Sequence, residues 1–544
     1  MDAAPTPDRG KETPSTSLLA NLRIVSLGTL LSRILGLLRD IGMASLFGAG
    51  TTLDAFIVAF RVPNLTRQLF GEGALTTAFL PVFLEDREKH GEHAARATLT
   101  AVAVALSAIL LAVVLVAELV AVATYATVTL SPSNELLLLL FMILLPYLLL
   151  ICLAALCCAS LHAMREFLWP ALVPVVLNVV WLVGLTVAWL FAEGELRRVT
   201  WIAFAIPIAG VFQLALPVWV LFRRRHGFVR DWRLAWPRVG QVFRTMLPVV
   251  GGIAILQVNT VVDSLLAWGL ARPESGGPAW IEAWGLPALL ESGTASALYI
   301  GQRMYQFPLG VFGIALGTVL YPVLTRHAQR GEFEQLRKDL SRGIRIVIAI
   351  GIPASLGLVC LAKPITTALF QRGQFTAADG QLAATMVAIY GAGVWVFIGL
   401  AILNRAFYAT GDRLTPMRFG IFALAVNLLA NAILVVAIGG TGLAWGSVIA
   451  SSCQLLLTIR RIDRQLGSLL WKEIFVTAVK TVFCTAAMTL ACVFTVTYFS
   501  EPPTSLLSRV WMLVVPMGVS VVTYLATAKL FLLREPFEIL SERH

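Results

Sequence analysis

Charged residues stand in this chain where an apolar stretch should have none. Ser32-Arg33-Ile34-Leu35-Gly36-Leu37-Leu38-Arg39-Asp40 interrupts the first hydrophobic stretch, Asp54, Arg61, Arg67, Glu72 and Glu85 the second, and Arg303 the eighth. An arginine at the centre of a bilayer costs about 2.5–3.5 kcal/mol on insertion scales, so such residues face a wet cavity or a partner. Arg33 and Asp40 are seven residues apart, as are Asp54 and Arg61, so each pair can share a helix face and neutralise itself. Arg39, Arg67 and Arg303 have fewer obvious partners and come from three different stretches. Meeting in one cavity, they would make a cationic site for a multivalent anion. Guanidinium bonds phosphate oxygens through a planar fork and keeps its charge when buried. A cation channel would want rings of Asp or Glu instead. The chemistry expected is phosphate binding.

The elements that must carry these residues are set by composition. Of 544 residues, 58% are hydrophobic and only 13% charged, against roughly a quarter charged in soluble domains. The mean hydropathy is +0.82. The apolar excess runs along the whole sequence, so lipid rather than one buried core must take it up. A helix needs about 20 apolar residues to cross the hydrocarbon, and the chain offers about fourteen such spans: 20–47, 54–86, 97–127, 135–162, 168–192, 200–223, 242–270, 294–326, 343–370, 380–409, 415–438, 441–462, 473–499 and 508–533. Residues 419–459 run 41 positions without a charge, about 60 Å as helix. Gly439-Gly440-Thr441-Gly442 therefore divides them into a hairpin. The fold class expected is all-α and polytopic.

Loop charges test the count. With the N-terminus inside, one side carries Arg87, Lys89, Arg96 and Arg165, then seven arginines from Arg223 to Arg244 in one connection, and later Arg326, Arg330, Arg337, Lys338, Arg342, Arg413, Arg418, Arg460, Arg461, Arg464 and Lys472. The other side has only Arg197, Arg198, Arg272, Lys363, Arg372 and Arg509. This is the positive-inside asymmetry, held through every alternation, and it places both termini in the cytoplasm. It also explains the net charge of +11 without a nucleic-acid partner. The longest outside connection, 271–293, holds Glu274, Glu282 and Glu291, with Trp280 and Trp284 as interfacial anchors.

An internal repeat organises the spans. Pro170, after His162-Ala-Met-Arg165, and Pro416, after Tyr408-Ala-Thr-Gly-Asp-Arg413, are 246 residues apart; Pro63 and Pro308 are 245 apart, and Pro81 and Pro322 are 241 apart. The division expected is a disordered cytoplasmic tail at 1–19, a six-helix lobe at 20–225, a second at 226–465 with its preceding loop, and two further helices with the C-terminal tail at 466–544. Parallel repeats of this kind build transporters that rock one lobe against the other. Prolines and glycines in the charged spans, among them Gly36, Gly42, Pro63, Gly71, Gly73, Pro308, Gly310, Gly313 and Gly317, would let those helices bend.

Other chemistry is excluded. The seven cysteines, Cys152, Cys157, Cys158, Cys360, Cys453, Cys484 and Cys492, all lie in apolar runs and read as small packing residues. The six histidines sit near loops or ends, and no Asp-rich metal motif and no phosphate-cradling nucleotide loop appears. The chain is not expected to be an enzyme, nor to use a nucleotide.

These residues also carry a family resemblance. Ser-Arg-Ile-Leu-Gly-Leu-Leu-Arg-Asp at 32–40, Phe-Gly-Ala-Gly-Thr-Thr-Leu-Asp-Ala-Phe at 47–56, Phe-Arg-Val-Pro-Asn-Leu-Thr-Arg-Gln-Leu-Phe-Gly-Glu-Gly-Ala at 60–74, Ala-Phe-Leu-Pro-Val-Phe at 78–83, Gln-Phe-Pro-Leu-Gly-Val-Phe-Gly-Ile-Ala-Leu-Gly-Thr at 306–318 and Leu-Phe-Gln-Arg-Gly-Gln-Phe at 369–375 resemble the MurJ (MviN) lipid II flippases, in the multidrug/oligosaccharidyl-lipid/polysaccharide exporter superfamily. The resemblance covers nearly the whole chain. It implies a monomeric inner-membrane protein of bacterial cell-wall synthesis and cell-shape maintenance. Its cargo would be lipid II, the undecaprenyl-pyrophosphate-linked disaccharide-pentapeptide of peptidoglycan. Substrate-binding residues would be Arg33, Arg39, Asp54, Arg67 and Arg303, supported by Asp40, Arg61, Glu72 and Gln306. At 306 some members carry Glu, so a carboxylate role there is not carried over. The last two helices would border a groove for the prenyl tail. Some members bind sodium near the seventh, eleventh and twelfth helices, which makes Asp263 a candidate ligand, with Asn404 or Asn427. No other cofactor is implied. The rival readings are a flippase for another undecaprenyl-linked glycan and a multidrug exporter of the same superfamily; the arginines count against the exporter, since organic cations favour acidic cavities.

Overall fold

The computed structural model describes residues 14–70, 75–274, 279, 281–282, 285, 287–499 and 505–541. Glu72, Gly71, Gly73, Trp280 and Trp284 lie outside the described residues. The architecture is all-α: among the described residues there are nineteen α-helices and one pair of two-residue strands, Ala271–Arg272 and Leu290–Glu291, that pair in parallel.

Each of the fourteen expected spans is filled by a helix or by a broken pair. In chain order the helices are α1 (Pro14–Phe47), α2 (Thr51–Leu69), α3 (Leu75–His90), α4 (Glu92–Thr127), α5 (Pro132–Leu144), α6 (Tyr147–Ala163), α7 (Leu168–Phe191), α8 (Glu195–Arg223) and α9 (Trp236–Gly269). They continue with α10 (Thr294–Pro308), α11 (Ile314–Gln329), α12 (Phe333–Leu369), α13 (Ala377–Ala392), α14 (Val394–Ala409), α15 (Leu414–Ile438) and α16 (Thr441–Leu466). The last three are α17 (Trp471–Tyr498), α18 (Leu506–Leu530) and α19 (Glu535–Ser541). Among the described residues nine spans are long and apolar enough to cross a bilayer, and two pairs bent by 42° bring the total to eleven. The bent pairs are α10–α11, joined by a π-turn at Leu309–Gly313, and α13–α14. Pro308, which lacks the N–H a regular turn would use, precedes the first bend. α1, α2–α3 and α9 fall outside that count.

Two sequence features act locally as expected or nearly so. The long uncharged run turns at Gly439, whose φ of 63° is open to glycine. α1 begins at Pro14, inside the stretch expected to be a disordered tail, because proline suits the first turn of a helix.

The chain divides into two compact units: 1–42, 62–129 and 138–251 form the first, and 43–61, 130–137 and 252–544 the second. In the first, α3, α4, α6, α7 and α8 pack around Phe79, Phe83, Leu99, Leu106 and Tyr147, all fully buried. The start of α9 is tied to the end of α3: Arg238 reaches Asp86 at 2.6 Å, and Thr98 donates to the same carboxylate at 2.6 Å. In the second, α12 is the hub, packed against α11, α13, α14, α17 and α18. All seven cysteines are free, and four of them are fully buried.

Candidate functional site

In the first unit α7 builds a pocket for Arg39. Asp40 and Arg39 are 7% and 6% exposed, the Arg39 Nη2 to Asp40 Oδ1 distance is 2.7 Å, and Nη1 donates to Asn178 Oδ1 at 3.1 Å. The guanidinium also lies 4.2 Å from the Trp181 ring centroid, a cation–π contact that strengthens as water is removed. Asn178 is itself fixed, donating to the Ser32 and Pro174 carbonyls at 3.0 and 3.2 Å. Asp40 therefore pairs with Arg39, not with Arg33 as the seven-residue spacing suggested. Helical side chains lean toward the N-terminus, so Arg33 leans away from Asp40, and it is exposed beside Leu30, Ile34 and Leu38. Arg67 is half-buried, its Nε donating to Asn64 Oδ1 at 3.1 Å.

In the second unit α10 is the organising element. Asp54 is 2% exposed; Oδ2 accepts from Gly293 N at 2.8 Å and Oδ1 from Ser296 N at 2.7 Å, with the Ser296 hydroxyl on the same oxygen. A carboxylate here satisfies N–H groups that a helix start leaves without partners. Gly293 has φ 87°, and a Cβ there would come 2.1 Å from the Ala49 carbonyl oxygen. The expected Asp54–Arg61 pairing is thus replaced: Asp54 caps α10, while Arg61 Nη2 donates to Gln302 Oε1 on α10 at 2.8 Å and lies over Tyr299, 5.5 Å from its centroid. Gln302 in turn donates to Tyr390 Oη at 3.2 Å. Arg303, next in sequence, is half-buried on α10, and Gln306, one turn on, is exposed.

The sequence reading passed over Arg405, on α14. It is the one charged residue between 380 and 409, a signal available in the sequence. Its guanidinium lies across α11 so closely that a Cβ on Gly317 would fall 1.1 Å from Nη1.

Asp263, 1% exposed, sits in a polar cluster of the second unit. Its Oδ1 accepts from Asn431 Nδ2 at 2.7 Å and its Oδ2 from Ser447 Oγ at 2.8 Å; Asn427 Oδ1 lies 3.0 Å from the same Asn431 nitrogen. Asn431 Oδ1 is buried with no hydrogen-bond partner and is packed against Gly446, where a Cβ would fall 2.0 Å from it. A carboxylate, a hydroxyl and two side-chain amides can each offer an oxygen, the ligand type hard cations take, so this set of residues fits sodium. Asn427 belongs to this cluster; Asn404, the other candidate, has a buried Oδ1 without a partner. Among the described residues no three His, Cys, Asp or Glu side chains gather as a metal site.

The chain matches the family model described as lipid II flippase MurJ over residues 43–513. It is 33% identical over 466 residues to a probable lipid II flippase MurJ of Vibrio cholerae, covering 83% of this chain and 84% of that one. It is 30% identical over 480 residues to the lipid II flippase MurJ of Burkholderia cenocepacia, covering 85% and 88%. Among solved structures, a lipid II flippase MurJ in an inward closed conformation superposes with a TM-score of 0.73 at 20% identity, covering 95% of this chain and 99% of that one. An inward-facing multidrug resistance MATE transporter of the MOP superfamily superposes at 0.64 with 12% identity, covering 80% and 94%, a likeness of fold. Matched over most of its length, with Arg61, Arg67 and Arg303 inside the matched region, the chain belongs to the MurJ family.

Proposed function

We propose that this protein is a lipid II flippase of the bacterial inner membrane. It moves the undecaprenyl-pyrophosphate-linked precursor of peptidoglycan from the cytoplasmic to the outer leaflet by alternating access, with both termini in the cytoplasm. The observation that carries this reading is the family match over 43–513. Arg39, Arg67 and Arg303 bind the pyrophosphate in the course of the cycle, and Arg33 is a further cation of the same path. Asp40, Asn178 and Trp181 keep the Arg39 guanidinium pre-oriented, so little conformational entropy is lost when a phosphate exchanges for part of its present shell. Asp54 and Arg61 act through α10, fixing the helix that carries Arg303. Cargo is released unchanged, so no side chain here acts as acid, base or nucleophile.

Asp263, Asn427, Asn431 and Ser447 would hold sodium. Bound there, the ion supplies a positive charge that neutralises the Asp263 carboxylate and ties α9 to α15 and α16. Arg39, Arg67 and Arg303 test the proposal as a set: their combined replacement by Ala is expected to abolish rescue of a flippase-depleted strain while the protein still inserts in the membrane. Full rescue by the triple variant would defeat the assignment of these arginines to the cargo.

A further inference from the structure

The motif Leu-Phe-Gln-Arg-Gly-Gln-Phe at 369–375 has no part in the cycle above, yet it brings two guanidinium groups together. Arg372, just beyond the end of α12, donates from Nη2 to the Ala368 carbonyl at 2.7 Å. Arg509, in the first turns of α18, donates from Nη1 to the Thr367 and Gln371 carbonyls at 3.0 and 2.8 Å. Both therefore converge on the last carbonyls of one helix. Burial, and after it the charge of Arg509, hold Arg372 below the usual guanidinium range. Lys363, one turn before Thr367 on α12, is exposed and adds a third cation nearby.

Helix capping explains part of this arrangement and leaves a remainder. A helix C-terminus carries roughly half a negative charge, against two full positive charges. Each guanidinium has five N–H donors, and the Arg372 Nε is buried with no hydrogen-bond partner. Among the described residues no carboxylate bonds Arg372 or Arg509. The acid nearest Arg372 in sequence, Asp379, is engaged in capping α13, where it accepts from Thr376 N at 2.8 Å; Glu501, eight residues before Arg509, lies outside the described residues. Two like charges held side by side, without a counter-charge among the described residues, ask for an anion. The surroundings say which kind. Leu507 and Trp511, two residues either side of Arg509, are 65% and 50% exposed on another face of α18, so apolar surface suited to acyl chains lies at the same level of the helix as the cation. Headgroup depth is where lipid phosphates lie, and paired guanidinium forks match their oxygens.

We infer that Arg372 and Arg509 form an anion site for the phosphate of a lipid at the headgroup level of the leaflet remote from the arginine-rich loops. This rests on the topology of the proposed flippase, which makes that leaflet the outer one. The same chemistry is offered by the diphosphate of a prenyl lipid, as cargo leaves, and by a resident phospholipid.

The test uses the full-length protein in detergent, titrated separately with farnesyl diphosphate and with short-chain phosphatidylglycerol, with phosphatidylcholine as the neutral control. The wild-type protein is expected to bind an anionic probe at least tenfold more tightly than the R372Q/R509Q variant, with phosphatidylcholine indifferent to the substitution. A loss confined to farnesyl diphosphate assigns the site to the prenyl diphosphate, and an equal loss for both anions assigns it to lipid phosphate in general. Unchanged affinity for both overturns the inference. Should the double variant misfold, R372K/R509K and the single variants serve: graded binding supports the site, and binding indifferent to every one of them overturns it. Lipid II movement is measured on the same wild-type preparation. A protein that moves lipid II but whose anion binding ignores both arginines refutes this site alone; one that moves none refutes the flippase reading alone.

Discussion

At the scale of single residues, the account turns on how arginines at membrane depth are held. Gly317 is the sharpest case, because the Arg405 guanidinium occupies the place where any side chain would begin. G317A keeps every charge and adds one methyl group, yet it must drive Arg405 off α11. Transport measured in vesicles is expected to fall at least tenfold, with membrane insertion unchanged; wild-type rates in G317A would show that the position of Arg405 does not matter. Part of this scale was legible in the sequence. The intramembrane charges could be listed, because charge in an apolar run is visible without coordinates. Their partners could not. Arg39 looked weakly partnered while its neighbour Asp40 was assigned to Arg33, since a seven-residue spacing reports a shared face but not the N-terminal lean of the side chains. Asn178 and Trp181, which complete the Arg39 pocket, lie 139 and 142 residues away, and nothing local in α7 marks them.

At the scale of elements, helices are tied by single buried polar contacts more than by apolar area, since lipid offers apolar surface equally well. Asp54 capping α10 is one such tie, and the Asp86–Arg238 contact between the end of α3 and the start of α9 is another. Asp86 is 3% exposed and is shared by Arg238 and Thr98. R238A leaves that carboxylate short of its cation and is expected to destabilise the first unit by about 3 kcal/mol, whereas D86N/R238A together should cost less than the two singles summed. A double-mutant cycle on detergent unfolding checks this; strict additivity would mean the contact contributes nothing. Element existence was well marked beforehand, down to the glycine that divides 419–459. The breaks within spans were not: Pro308 is visible in the sequence, but its π-turn and the 42° bend depend on neighbours.

At the scale of the whole molecule, the helices were legible in the apolar stretches. Only nine spans, or eleven with the bent pairs, satisfy length and apolarity among the described residues, in part because α1 and α2 carry charged residues such as Arg33, Arg39, Asp54 and Arg61. The fourteen stretches expected from apolar length nonetheless each hold a helix or a broken pair among the described residues. The expected sodium ligand Asp263 was legible as a lone acid in the seventh span, while Asn431 and Ser447 became visible only once α9, α15 and α16 were assembled. Sodium at a hundredfold excess over its Kd is expected to raise apparent stability by about 2.7 kcal/mol relative to choline, and D263N should remove the difference. Equal melting of the wild type in the two salts would exclude the site.

The central claim is movement of lipid II driven through membrane-depth arginines. Purified protein in vesicles containing lipid II, with headgroup accessibility at the outer surface followed over time, measures it directly. The prediction is protein-dependent exposure of the headgroup that slows at least tenfold when Arg39, Arg67 and Arg303 are replaced together. Exposure no faster than in protein-free vesicles, or equally fast in the triple variant, would contradict it.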